Sequence, residues 1–168
     1  LPVLAYVNLQ SEREAQLFVD INCEQVRVPK NLLNEIYATL KWDSEDYGER
    51  VYALRSRVVM ALDGRKTSPF YDRIITTNRD KTHFRCLTLT SFNDGLKENK
   101  FFGESARGSR KLGPLCYAPS ENQVDTMNKA IDVLIGYFSL FKEAMPEHWN
   151  FGDAPGGFLC TNNAIRAL

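Results

Sequence analysis

Cationic side chains concentrate in the middle of this sequence. Residues 65–111 contain eleven Lys and Arg residues against five Asp and Glu residues, although the whole chain has 21 of each sign and no formal net charge. Such a stretch can neutralise nucleic-acid phosphates, which supplies affinity without sequence choice. The residues that we expect to contact phosphate are Arg65, Lys66, Arg73, Arg107, Arg110 and Lys111.

The segment SARGSRKLG, residues 105–113, combines cations with Gly and Ser. This composition predicts a flexible loop that can approach a phosphate backbone closely. The alternative is a solvated surface without a partner, because cations spread along a chain need not share one face.

Familiar catalytic patterns are absent from the sequence. It has two histidines, His83 and His148, in no known local signature, and neither a Walker-type nor a dinucleotide-type glycine motif. The four cysteines are far apart, which predicts ordinary, partly buried thiols. We therefore expect no catalytic residue, metal or cofactor in this chain.

A short polar segment, Asn22-Cys23-Glu24-Gln25, separates two helical patterns. Asn and Gln commonly end helices by bonding nearby backbone groups, so a turn is one interpretation of Asn22 and Gln25.

Hydrophobic periodicity predicts a mainly helical α/β (α+β) domain with a small sheet. A strand is expected at 2–9. The middle of the chain, residues 65–119, is expected to contain a hairpin or two irregular strands, with 73–76 and 83–89 as strand-like segments. Helices are expected from Ser11, from Pro29, from Ser44 to Gly64, near 91–101 and from Ser120 to about Pro146.

With 168 residues, 43% of them hydrophobic and 25% charged, the chain has the composition of one soluble globular domain. It starts without Met on an apparent strand and ends inside an apolar pattern, so we expect a fragment of a longer protein. No apolar run is long enough for a membrane span, which makes a cytoplasmic setting and no membrane partner the expectation.

Several short segments carry a family resemblance: Leu1-Pro2-Val3; Phe18, Ile21, Asn22 and Gln25 in FVDINCEQVRV; Ser68-Pro69-Phe70; LTSF at 89–92; and GFLCTNNAIRAL at 157–168. Together they resemble the DGQHR-domain proteins, including the DndB family associated with DNA sulfur modification (phosphorothioation), downstream of their Asp-Gly-Gln-His-Arg motif. The stretch LPVLAYVNLQSEREAQLFVDIN is also similar to the strand and capped helix that follow the Gly-x-x-Arg-Arg box of ParB and sulfiredoxin proteins.

The resemblance implies a partial ParB-like fold with a helical elaboration. It also implies that Asn22 and Gln25 lie beside a site built by the preceding motif, but Asp-Gly-Gln-His-Arg itself does not occur in this sequence. The implied role is DNA binding and transcription regulation in bacterial DNA modification, restriction or defence, with other DNA-modification proteins as further partners.

Two alternatives remain open at this point. One is a ParB-like nucleotidase or nuclease whose catalytic motif lies upstream of this chain. The other is a protein-interaction domain that makes no nucleic-acid contact.

Overall fold

In the computed structural model the chain is mainly helical, with two very small sheets, which confirms the α+β class. The structure describes residues 8–25, 30–76, 79–106, 109–119 and 122–167. In chain order the elements are α1 (Ser11–Gln25), α2 (Lys30–Leu40), α3 (Tyr47–Gly64), β1 (Ile74–Ile75), β2 (Leu87–Thr88), α4 (Leu89–Glu98), β3 (Glu104–Ala106), β4 (Ser109–Lys111), α5 (Gln123–Ala144), α6 (Pro146–Asn150) and α7 (Asn162–Arg166). None of the helices in this part of the chain could span a bilayer.

The two longest helices, α3 and α5, start at side-chain caps and pack on each other. The Asp46 carboxylate accepts the Glu49 N–H at the start of α3, and the Asn122 side chain accepts N–H groups at the start of α5. These caps satisfy backbone donors that the first helical turn leaves unpaired. They place the helix starts a few residues beyond the predicted Ser44 and Ser120.

An aromatic cluster occupies the centre of the core. The Phe70 ring lies 4.9 Å from that of Phe92 on α4, 4.6 Å from that of Phe138 on α5 and 5.3 Å from that of Trp149 on α6, measured between ring centroids. All four side chains are at most 5% exposed. Such burial and edge-to-face contact hold separate parts of the chain together.

The sheet between β1 and β2 is a parallel pair of two residues each, with Ile74 opposite Leu87 and Ile75 opposite Thr88. The segments at 73–76 and 83–89 thus pair as two irregular strands, which is one of the two arrangements predicted for the middle of the chain. They do not form a hairpin with each other, because a hairpin requires antiparallel strands and a tight turn. The antiparallel pair of this region is β3 with β4. Residues 2–7 of the predicted strand at 2–9 lie outside the described residues, and residues 8 and 9 are not in a strand.

The C-terminal segment at 157–168, which carries part of the family resemblance, packs against β2 and α4. The Asn162 side chain accepts the Thr88 N–H and donates to the Cys86 carbonyl, so it bonds the backbone around β2. A Cβ on Gly95 of α4 would lie 2.7 Å from the Ile165 carbonyl oxygen of α7, which shows how closely the two helices approach. These segments thus build the core.

Helix α1 starts at Ser11 as predicted but does not end at Asn22, because it continues to Gln25. The polar cluster therefore forms the last turn of the helix instead of a turn that follows it.

Candidate nucleic-acid interface

The predicted loop at 105–113 is largely a hairpin. Strands β3 and β4 are antiparallel, with Glu104 opposite Lys111 and Ser105 opposite Arg110. The predicted contact residue Arg107 lies in the connection, at residues 107–108, outside the described residues. The backbone pairing thus places two of the expected cations, Arg110 and Lys111, on one strand of a two-stranded ribbon.

Two glycines allow the base of this hairpin to close. Gly103 has φ +81°, and a Cβ there would lie 2.0 Å from the Lys111 carbonyl oxygen. A Cβ on Gly113 would lie 2.3 Å from the Gly103 nitrogen. The two chain segments therefore approach backbone to backbone, which a side chain at either position would prevent.

The base is also attached to the core. Phe102 is 1% exposed, and its carbonyl accepts a hydrogen bond from the Tyr47 hydroxyl at 3.1 Å. The Leu115 N–H donates to the Phe101 carbonyl at 2.9 Å. The hairpin is consequently anchored next to the first turns of α3.

Lys100 and Lys111 line one groove of about 220 Å³ at the hairpin base, together with Asn99, Gly103, Leu112, Gly113 and Pro114. Lys97, in the last turn of α4, is exposed close by in sequence. Lys97 and Lys100 were not among the six predicted contact residues. The sequence signals for them were their place among the eleven cations of residues 65–111 and their three-residue spacing at the end of a predicted helix.

The other predicted exposed pair, Arg65 and Lys66, lies at the opposite end of α3. This helix of 18 residues is about 27 Å long. Arg65 follows its last residue and pairs with Asp132 of α5 at 3.4 Å, and Lys66 is exposed. The predicted cations therefore do not form one continuous face.

Arg73 has an interior position instead of the expected surface one. It is 1% exposed, and its guanidinium donates to the Trp149 carbonyl and to Asn150 Oδ1, both at 3.1 Å. The same group lies 3.8 Å from the centroid of the Phe84 ring. A charge with these partners is not presented to an external phosphate.

Other cations of the stretch are neutralised by acidic neighbours. Arg85 forms a bidentate pair with Asp72 at 2.7 Å, and Arg79 bridges Asp72 and the buried Asp63. Hydrogen bonds from Arg85 and then from Arg79 lower the pKa of Asp72. This network connects the end of α3 to the segments before β1 and β2, and it reduces the cationic excess that the sequence suggests.

Asn22 and Gln25 both lie in the last turns of α1, and the structure describes their backbone only. The site that the resemblance implies beside them thus falls outside the described side chains.

A Cys-His-Asp arrangement is present in outline only. His83 Nδ1 lies 3.1 Å from Asp153 Oδ1. Cys86 lies three residues after His83 in the sequence. The Cys86 thiol is buried and donates to the Cys160 carbonyl at 3.1 Å, and burial raises its pKa. A buried thiol whose pKa is raised stays protonated and is a poor nucleophile.

The two other titratable residues considered, Cys160 and His148, make contacts that are structural and not catalytic in character. Burial raises the pKa of Cys160 to about 12. His148 Nδ1 lies 2.7 Å from the Gly156 carbonyl oxygen, and its ring packs on Phe158. Within the described ranges, no group of His, Cys, Asp and Glu could hold a metal ion.

Comparisons with known proteins give no family assignment: no family model matches the chain, and neither curated proteins nor solved structures yield a significant match.

Proposed function

We propose that this chain is a DNA-binding or regulatory domain of a DGQHR-domain, DndB-like protein and that the β3–β4 hairpin contacts the phosphate backbone. One observation supports this most: Lys100 and Lys111 line a single groove at the base of a two-stranded ribbon. Two-stranded ribbons fit the major groove of B-DNA, and lysines at their base can contact the flanking phosphates.

The proposed contact is mainly electrostatic. Lysines that replace condensed counterions make binding depend steeply on salt and little on base sequence. A regulator with this property would work in the cytoplasm, where the modified DNA is, and would rely on partner proteins or upstream segments for sequence choice.

The test is a titration of the whole chain into a labelled duplex at about 50 mM and about 200 mM salt. The double variant Lys100→Ala with Lys111→Ala should weaken binding at both concentrations. It should also flatten the dependence of log affinity on log salt by about one unit for each lost phosphate contact.

The matched control is the double variant Arg65→Ala with Lys66→Ala, which removes the same charge at the far end of α3. We expect it to change affinity little. Equal losses in both double variants would mean that net charge alone drives binding, and the hairpin proposal would fail.

A flat titration at low salt would instead favour the protein-interaction alternative. The feature it would use is a stripe on α5 formed by Val133, Tyr137 and Leu140, whose side chains are 45%, 47% and 65% exposed. Exposed apolar stripes of this kind are common in protein interfaces.

A further inference from the structure

A cavity of about 210 Å³ lies between the first turns of α3, the start of α5 and the base of the β3–β4 hairpin. Its interior is formed mainly by Val51, Leu54 and Phe102, which are at most 7% exposed. The half-buried residues that line it, and give it access to solvent, are Tyr47, Arg50, Leu112, Cys116 and Gln123. The cavity therefore combines an apolar interior with one charged side chain.

Most polar hydrogens that line the cavity already have partners in the protein. The Tyr47 hydroxyl and the Cys116 thiol both donate to the Phe102 carbonyl, at 3.1 and 3.4 Å. Gln123 Nε2 donates to the Trp42 carbonyl at 3.3 Å. A ligand in the cavity therefore gains little from these groups.

Arg50 is the exception among the lining residues. Its Nη1 donates to the Ser44 and Glu45 carbonyls at 2.6 and 2.9 Å. The Tyr47 ring centroid lies 6.0 Å from the guanidinium carbon. Among the residues that the structure describes, Arg50 has no ion pair with a carboxylate, and its Nε and Nη2 have no hydrogen-bond partner. The protein thus positions the guanidinium through one nitrogen only.

The lining determines which ligand chemistry fits. Nε and Nη2 form the edge of a guanidinium that binds a carboxylate through two parallel hydrogen bonds. The apolar interior favours a hydrocarbon body beside that carboxylate. The volume equals roughly seven water molecules at about 30 Å³ each, which is less than sites for drug-sized ligands offer. It therefore limits the body to one ring or a short chain.

We propose that this cavity binds a small monocarboxylate with an aromatic or short aliphatic body. The carboxylate pairs with Arg50, and the body packs on Val51, Leu54 and Phe102. Such a ligand supplies the counterion and the two acceptors that the described residues do not give to Arg50, and it removes apolar surface from water. Neither Lys100 nor Lys111 lines the cavity, so the proposal does not depend on the DNA contact.

The experiment compares two carboxylates with their neutral amides, which have nearly the same shape. Calorimetry and the melting temperature of the whole chain are measured with benzoate, benzamide, hexanoate and hexanamide at constant ionic strength. The better carboxylate should bind at least about tenfold tighter than its amide, because hydrogen bonds to a charged group are the stronger kind. The comparison of benzoate with hexanoate shows whether a ring or a chain fits. Carboxylates that bind no better than their amides would overturn the proposal.

Arg50→Gln should remove the preference for the carboxylate over its amide. Arg57→Gln is the matched control, because Arg57 on the same helix also donates to a backbone carbonyl, that of Ala38 at 3.0 Å, and packs over the Trp42 ring. It should keep the preference. A preference that survives in Arg50→Gln would contradict the proposed pairing.

Cys116 provides a second readout, because it lines the cavity while Cys86 and Cys160 are buried. Bound carboxylate should slow the alkylation of Cys116 by iodoacetamide, followed by mass spectrometry, and the amide at the same concentration should not. Unchanged alkylation at saturating carboxylate would show that the ligand binds elsewhere.

Leu112→Phe covers the case in which Arg50→Gln fails to fold. The larger ring takes up part of the cavity and leaves Arg50 in place, so it should weaken the binding of both carboxylates. Carboxylate binding as tight as in the wild type would exclude this cavity as the site.

Discussion

Single residues in the cationic stretch have different tasks, and Arg73 is the clearest case. Its guanidinium donates two hydrogen bonds at the end of α6 and packs on the Phe84 ring. The carbonyl end of a helix favours a cation, so the charge is stabilised without a carboxylate.

Arg73→Lys should therefore destabilise the fold although it keeps the charge. An ammonium cannot reproduce the planar, two-pronged contact, and we expect a loss of about 1–3 kcal/mol in the free energy of unfolding. Urea denaturation measures it, with the exposed Lys66→Arg as a control that should change little. Unchanged stability of Arg73→Lys would refute a structural role for the guanidinium.

Asp72 provides a pH-dependent prediction at the same scale. Its pKa is lowered in the folded protein, chiefly by Arg85, so its contribution to stability is present above its unfolded pKa of about 4 and lost as pH falls through the folded value. Asp72→Asn removes the charge and tolerates the φ of +55°.

The difference in unfolding free energy between wild type and Asp72→Asn should thus be constant near neutral pH and shrink below about pH 4. We expect it to stay below about 1 kcal/mol, because the carboxylate is 39% exposed and solvent screens the pair. Urea denaturation of both proteins across this pH range measures this difference in unfolding free energy. A difference that grows on acidification would have the wrong sign.

Among the elements, the closed conformation of the β3–β4 hairpin depends on Gly103 and Gly113 at its base more than on the pairing of its two strands. Gly113→Ala would place a Cβ 2.3 Å from both the Gly103 nitrogen and the Phe101 carbonyl oxygen, so the base must open. We expect faster hydrogen exchange in β3 and β4 and weaker DNA binding, with most of the core intact.

Gly136→Ala on α5 is the matching control, because an added Cβ there has no atom within 4 Å. It should stabilise the helix by about 0.5–1 kcal/mol. A Gly113→Ala variant with unchanged exchange and DNA binding would show that the closed hairpin base is not needed.

The five longer helices, α1 to α5, were predictable from sequence because each has a local signal, whereas the five-residue helices α6 and α7 were not predicted. Apolar positions at steps of three and four define α3 and α5, and Asp63-Gly64 marks where α3 ends. The pairing of strands was less predictable. Strands β1 and β2 have two residues each, too few for an alternating pattern, and their direction depends on tertiary contacts such as the hydrogen bond from the Ile74 N–H to Asp63 Oδ1.

The candidate interface was predictable only in part, because a count of charges does not show which cations form ion pairs with Asp63, Asp72 and Asp153.

At the scale of the whole molecule, the formal net charge is zero, but the cations fall into two groups with different surroundings. Arg79 and Arg85 pair with Asp63 and Asp72 near the core. The side chains of Lys97, Lys100 and Lys111 lie at the surface around the hairpin base. A protein without net charge can still bind a polyanion when one region carries the local excess.

The aromatic cluster determines how the molecule should unfold. Phe70 precedes β1, and its partners Phe92, Phe138 and Trp149 come from α4, α5 and α6. Trp149 Nε1 also donates to the Pro69 carbonyl at 3.3 Å. Because one cluster joins four parts of the chain, none of these parts should lose its packing alone.

In a Trp42→Phe background, fluorescence reports Trp149 only, since the chain has two tryptophans. We expect its urea transition to coincide with that of the helical circular dichroism signal. Phe70→Leu should lower both midpoints together, with a loss of about 1–3 kcal/mol from the smaller side chain and the lost ring contacts. A fluorescence transition that precedes the loss of helix would mean that the cluster around Trp149 opens separately and does not hold the fold together.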